Sequence, residues 1–227
     1  MVYGSSIGVK FYEDGSVRAF HGNTVVAPIR QENPAYSVAV RLRDMVKEFN
    51  LEDYYTMLPS DSYHMTVIGG LDDQLRVDEH WPPMLPKNAP MEAADDHYTA
   101  AIARAGLPGP LRMRFDAIRV SNNCMIIHLL GADAEQEQIA RSFRDRAAAE
   151  VGVKFRGHDT YRFHISLAYT RVIPEGEAAQ RLEKMKEAMN AFLAQQPAFM
   201  TGTPHVAYFK DMYAFSPTRI PREGATY

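Results

Sequence analysis

The chain is poor in cysteine and tryptophan, with one of each in 227 residues. A lone Cys124 forms no internal disulfide. Its apolar neighbours Met125, Ile126 and Ile127 read it as a buried, inert thiol, as expected in a reducing compartment. No excess of positive charge is present either: 25 basic residues face 28 acidic ones, for a net charge of -3. That argues against a protein that coats long nucleic acid by neutralising many phosphates. No window reaches the length of a membrane span, and Met1 to Ser6 leads into a polar segment without an apolar signal core. No membrane association and a cytoplasmic location are expected. The chain also has no His-Glu-x-x-His helix, no Cys-x-x-Cys, no Gly-x-x-x-x-Gly-Lys loop and no Gly-x-Gly-x-x-Gly turn. The pattern therefore calls for no metal and no cofactor.

What is present is an ordinary core-forming composition. Hydrophobic residues make up 46% of the chain and mean hydropathy is -0.32, enough for one large domain or two intimately packed lobes. The pair Asp14-Gly15 between Val9–Tyr12 and Val17–Phe20 predicts a hairpin over about residues 8–20. Thr24 to Ile29 reads as a buried strand. Asn33-Pro34 is a helix start, followed at helical spacing by Val38, Leu42, Met45, Val46 and Phe49. Tyr54–Leu58 and Tyr63–Ile68 are candidate strands. Residues 71–92 form a proline-rich connection around Trp81, a surface wrap or a lid.

A helix is expected from Met91 to Ala105, stopped by Gly106. Strands Met113–Val120 and Met125–Leu130 follow, joined at Asn122-Asn123. Asp133 to Glu150 reads as a helix with Ile139, Phe143 and Ala147 inward. Arg162–Ala168 is a further strand. Glu175–Ala194 is a helix with Leu182, Met185, Met189 and Phe192 inward, and Val206–Phe215 a last strand. Helices mixed with strand pairs favour an α+β fold over a doubly wound parallel sheet.

Two strands stand out. Tyr63-His64-Met65-Thr66-Val67-Ile68 and Phe163-His164-Ile165-Ser166-Leu167-Ala168 lie 100 positions apart, each after a helix. Alternation puts His64 and Thr66 on one face, with Met65 and Val67 opposite. His164 and Ser166 share a face likewise, and the same parity adds Ser62 to one strand and Arg162 to the other. Each strand thus offers an imidazole and a hydroxyl about 7 Å apart. His97-Tyr98-Thr99 and His158-Asp159-Thr160 share the spacing but lack the apolar alternation that fixes both groups on one face.

Such a constellation suits phosphodiester chemistry. One imidazole takes a proton from the attacking oxygen and the other protonates the leaving oxygen. Histidine serves either part near neutral pH. Thr66 and Ser166 would donate to the non-bridging oxygens, and Arg162 could clamp the phosphate. Tyr213 and Phe215 share a parity; both are expected in the core, with base stacking as the other use.

The paired segments resemble the His-x-Thr/Ser-x signatures of the 2H phosphoesterase superfamily, which includes 2′-5′ RNA ligase-like proteins and cyclic nucleotide phosphodiesterases. The stretches Lys10–Ser16 and Gly22–Val26 are similar to a poorly characterised branch of it. The resemblance implies a single domain of two pseudo-symmetric lobes, with antiparallel sheets around a central groove. It implies His64 and His164 as acid/base residues and Thr66 and Ser166 as phosphate binders. The expected partner is a small phosphodiester nucleotide or an RNA end. The expected activity is hydrolysis of a cyclic phosphodiester such as a 2′,3′-cyclic phosphate. A non-catalytic module for RNA ends or nucleotides, and an RNA 2′-5′ ligase, stay open beside it.

Overall fold

The computed structural model describes residues 1–219, which hold four α-helices and eight strands. In chain order these are β1 (Gly22–Pro28), α1 (Pro34–Glu48), β2 (Tyr55–Met57), β3 (His64–Asp72), α2 (Met91–Ala105) and β4 (Arg112–Val120). Then come β5 (Cys124–Gly131), α3 (Ala134–Val151), β6 (His164–Thr170), α4 (Glu177–Leu193), β7 (Phe199–Met200) and β8 (His205–Phe209).

The helix ends follow local chemistry. The Asn33 side chain accepts the Ala35 N–H at 3.0 Å and Pro34 opens α1 at the position where its missing N–H costs nothing. Asp133 accepts the Gln136 N–H at the start of α3, and Gly152 ends that helix at φ 80°, a conformation glycine adopts without strain.

All strand pairs are antiparallel, in the order β7-β4-β5-β6-β3-β1-β8, with β2 on β6. The fold is α+β. Its two halves, β8-β1-β3 and β6-β5-β4-β7, meet between β3 and β6 through one residue pair, Met65 and Ile165. α2 lies against α3, β1 and β3, while α4 lies against α1 and β4. One core cluster runs through both halves. No helix among the described residues is long and apolar enough to cross a membrane.

Several expectations change. The segment over residues 8–20 has its turn at Gly15 (φ 87°) but makes isolated bridges, Phe11 to Ile7 and to Val17, instead of two paired strands. Its apolar residues do not share a face that can be buried: Phe11 is fully buried while Val9 and Tyr12 are half exposed. Phe143 and Ala147 are buried on α3 as expected, but Ile139 is 38% exposed, and Arg144 takes a place on the buried face. Trp81 is buried, its indole N–H shared between the carbonyls of Leu85 and Pro86, with the Arg76 guanidinium 4.4 Å above its ring. It closes the proline-rich connection on itself and is not a lid residue. The last strand stops at Phe209. The chain then turns, and Ser216 comes back to exchange two backbone hydrogen bonds with Tyr208.

Candidate active site

The central strands place the two histidine motifs side by side. Met65, Val67, Ile165 and Leu167 are fully buried, while His64, Thr66, His164 and Ser166 are half-buried on the other face and line one cavity of about 690 Å³. The register set by Met65 and Ile165, carried one residue either way, puts His64 opposite Ser166 and Thr66 opposite His164. Each imidazole therefore faces the other strand's hydroxyl.

The two strands also share a defect. β1 pairs Val26 with Thr66 and Val25 with Ile68, so Val67 is an extra residue on β3. β5 pairs Ile126 with Ser166 and Met125 with Ala168, so Leu167 is extra on β6. A bulge of this kind re-aims the residues that follow it. Past it, Gly69 and Tyr169 come round to the cavity, although parity counted from the histidines puts them on the far face. Tyr169 was therefore missed from the sequence. The signal was the double apolar step after each hydroxyl residue, Val67-Ile68 and Leu167-Ala168, which breaks strict alternation.

The imidazoles are held alike. Nδ1 of His64 lies 2.7 Å from the Ser62 carbonyl and Nδ1 of His164 lies 2.7 Å from the Arg162 carbonyl. A carbonyl only accepts, so each Nδ1 carries the proton and each Nε2 is left as the basic nitrogen. Burial drives the His64 pKa down to about 4, against an upward pull from the Ser62 carbonyl; the charges of His164 and His205 lower it further. His164 is lowered too, by burial first and by His128 in addition. Both rings are therefore neutral near pH 7. Thr66 and Ser166 both line the cavity, and among the described residues the Ser166 hydroxyl makes no hydrogen bond within the protein, while the Thr66 side chain also meets the Tyr161 hydroxyl.

Arg162 is not where a phosphate clamp requires it. Its side chain is exposed and does not line the cavity, and its contribution to the site is the backbone carbonyl that orients His164. Tyr213 is half-buried beside Phe11, as a core residue should be, with ring centroids 6.1 Å apart. Phe215 is no strand residue. It returns with the chain after Phe209 and sets its ring 4.2 Å from that of His64, in the cavity wall. His128, which the sequence did not single out, is directly across from His164 on β5, with Nδ1 2.8 Å from Asp116 Oδ2. His97 and His158 are elsewhere: His97 meets the Val151 carbonyl and His158 pairs with Asp145.

One cluster with metal-ligand spacing occurs among the described residues, Asp145, His158 and Asp159, and none of the three lines the groove. Its carboxylates already pair with His158 and with Lys154. Among the described residues the one carboxylate lining the groove is Asp72, whose Oδ1 accepts the N–H groups of Gln74 and Leu75.

A profile described as 2H-phosphodiest, a domain of unknown function (DUF1868), matches residues 10–124. The chain belongs to this family. As a member of the 2H phosphoesterase superfamily, it has the α+β fold that its sequence implies. A conserved protein of unknown function, ATU0111 from Agrobacterium tumefaciens, is 29% identical with a TM-score of 0.85, over 95% of this chain and 92% of that one. Two others are far more distant. TT0787 of Thermus thermophilus is 14% identical, at a TM-score of 0.43 over 82% of this chain and 85% of that one. E. coli LigT, solved with NADP+, is 10% identical, at a TM-score of 0.44 over 88% and 96%. No curated protein matches this sequence.

Proposed function

We propose that the groove hydrolyses a cyclic phosphodiester, a 2′,3′-cyclic phosphate on a nucleoside or an RNA end, by acid/base catalysis from His64 and His164 without a metal ion. The observation that supports this most is the matched pair of imidazoles. Each is fixed in the same tautomer by its own strand's carbonyl, and each faces a hydroxyl of the other strand across the β3–β6 seam.

With the phosphorus between the rings, the Nε2 of one histidine takes the proton of the attacking water. The other, as imidazolium, protonates the departing oxygen while the P–O bond to it breaks. Thr66 and Ser166 donate to the non-bridging oxygens, and hydrogen bonds to charged groups are worth roughly 1.5–3 kcal/mol. Burial disfavours an imidazolium, and a bound phosphodiester anion restores it, since a nearby opposite charge raises a histidine pKa. The donor set fits metal-free chemistry: no second carboxylate stands with Asp72 in the groove among the described residues, and Asp72 is already engaged.

The test is turnover of 2′,3′-cyclic nucleotides in the presence of EDTA. Activity is expected in the wild type and absent in His64→Ala and His164→Ala. Turnover that survives either substitution refutes the two-histidine mechanism.

A further inference from the structure

A wall of rings runs from His64 to the far end of the cavity, and the chemistry just described makes no use of it. Phe215 lies 4.2 Å from the His64 ring, Phe209 is 5.1 Å from Phe215, and Phe20 is stacked on Phe209 at 6.4 Å. At its end stands Lys10, with Nζ 4.9 Å from the Phe20 ring and 5.2 Å from the Tyr169 ring, donating to the Tyr169 hydroxyl at 3.4 Å. Lys10 is the one lysine or arginine lining this cavity among the described residues.

Its surroundings are unusual for an ammonium. It is half-buried, and among the described residues it forms no ion pair with a carboxylate. Asp72, the acid facing it, is held by two backbone N–H groups. Among the described residues the Tyr169 hydroxyl is the one hydrogen-bond acceptor for the ammonium, the two ring faces adding cation–π contacts, so the ammonium keeps protons to donate to a ligand. The backbone that presents it is pinned. The Lys10 N–H donates to the Ser6 carbonyl at 2.8 Å, its carbonyl accepts from Arg18 at 2.8 Å, and the next residue, Phe11, is fully buried.

We infer that the substrate is a nucleotide carrying a second phosphate, bound by Lys10 while the ester to be cleaved lies between His64 and His164. The inference rests on the proposed function and narrows its substrate class. A single cation at the end of an apolar, ring-lined wall suits one terminal phosphate beyond a base or sugar. A strip of cations would be needed for the backbone of a long nucleic acid. Lysine binds phosphate as a point charge and tolerates either a mono- or a dianion. The volume of about 690 Å³ falls within the range of small-molecule sites and has room for both ends of such a ligand.

The experiment compares adenosine 2′,3′-cyclic phosphate with and without a 5′-phosphate, and an adenosine dinucleotide ending in a cyclic phosphate with and without a 5′-phosphate. In the wild type the 5′-phosphate raises kcat/KM roughly tenfold or more in at least one pair. Lys10→Met and Lys10→Gln reduce that advantage to less than about twofold, and Lys10→Arg keeps it. Turnover with no 5′-phosphate advantage in either pair overturns the inference and leaves the phosphoesterase reading standing. So does an advantage that persists in Lys10→Met and Lys10→Gln. Calorimetry with adenosine 2′-monophosphate and adenosine 2′,5′-bisphosphate supplies a readout independent of turnover. A bisphosphate preference that Lys10→Met abolishes, in a protein that turns over no cyclic phosphate, upholds the role of Lys10 and refutes hydrolysis. Equal binding of the two ligands by the wild type counts against Lys10.

Discussion

The bulge on β6 and the bulge on β3 aim equivalent groups into the groove, yet they are held by different chemistry. On β6 the carbonyl of the extra residue, Leu167, accepts the backbone N–H of Leu58 at 2.9 Å. On β3 the carbonyl of Val67 accepts a guanidinium proton of Arg144 at 2.7 Å. Arg144 is buried and lies 3.9 Å over the Tyr161 ring, and the Tyr161 hydroxyl donates to the Thr66 carbonyl at 3.3 Å. One motif is thus braced by main chain alone. The other depends on two side chains from the opposite half of the molecule. Beyond the bulges the halves diverge again: a ring at Tyr169 meets Lys10, whereas at the matching position Gly69 leaves open space. The same local device has been fitted to two different walls, so the groove is symmetric at its two histidine motifs and asymmetric along its length.

The largest effect tests the symmetric part. His64→Ala and His164→Ala should each lower kcat on 2′,3′-cyclic nucleotides by about 10²–10⁴-fold. A difference between them beyond tenfold would show that the two imidazoles do not share the work evenly. The open position comes next. A Cβ at Gly69 meets nothing within 4 Å, so Gly69→Tyr should fold normally and raise KM by about tenfold or more as the new ring narrows the groove. An unchanged KM, with an unchanged melting temperature, would mean that substrate does not use the space beside β3. Third is the brace. Arg144→Met should leave the buried Val67 carbonyl without its donor and cost about 1–3 kcal/mol in denaturant unfolding. Stability equal to the wild type would erase the contrast between the two bulges.

The pH dependence sharpens the comparison further. Both imidazoles have pKa values below 6.5 in the free protein, so each imidazolium is lost at lower pH than in an ordinary histidine. The kcat/KM profile, which reports the free protein, should be a bell with its acid limb near pH 4 from His64 and its alkaline limb below pH 6.5 from His164. In the complex the phosphate anion favours imidazolium, and the kcat limbs should move upward. The linked effect on stability has the same origin. Between pH 6.5 and about 4 the unfolded chain binds more protons than the folded one, so stability falls as pH falls through that window. His64→Ala should flatten the fall in urea titrations. The smallest effect is expected at Arg162, where removing an exposed side chain outside the cavity should change kcat/KM by less than about threefold. A tenfold loss in Arg162→Ala would restore it as a phosphate clamp.

Much of this could be read along the chain because the forces concerned are local. Asn33-Pro34 and Asp133 start helices because their side chains or ring act within one turn. The alternation His64-Met65-Thr66 and His164-Ile165-Ser166 reports which face is buried because successive strand side chains point opposite ways. Other residues were illegible for equally physical reasons. Tyr169 reaches the groove only because an extra residue is accommodated against β5, and that depends on the partner strand's register. Phe215 reaches His64 only because Ser216 returns to pair with Tyr208. Arg162 shares the parity of His164 but lies just before β6, where its side chain is exposed and the cavity does not extend to it.

The sequence by itself determined that two imidazole–hydroxyl pairs exist, each fixed to one face of a strand, since alternation is a property of the extended backbone. Only the tertiary structure decided that the two strands adjoin and that each imidazole faces the other strand's hydroxyl. It also brought a wall of rings and Lys10 together to complete the cavity. Those facts rest on pairings between residues far apart in the chain, made when the two halves bury one shared core.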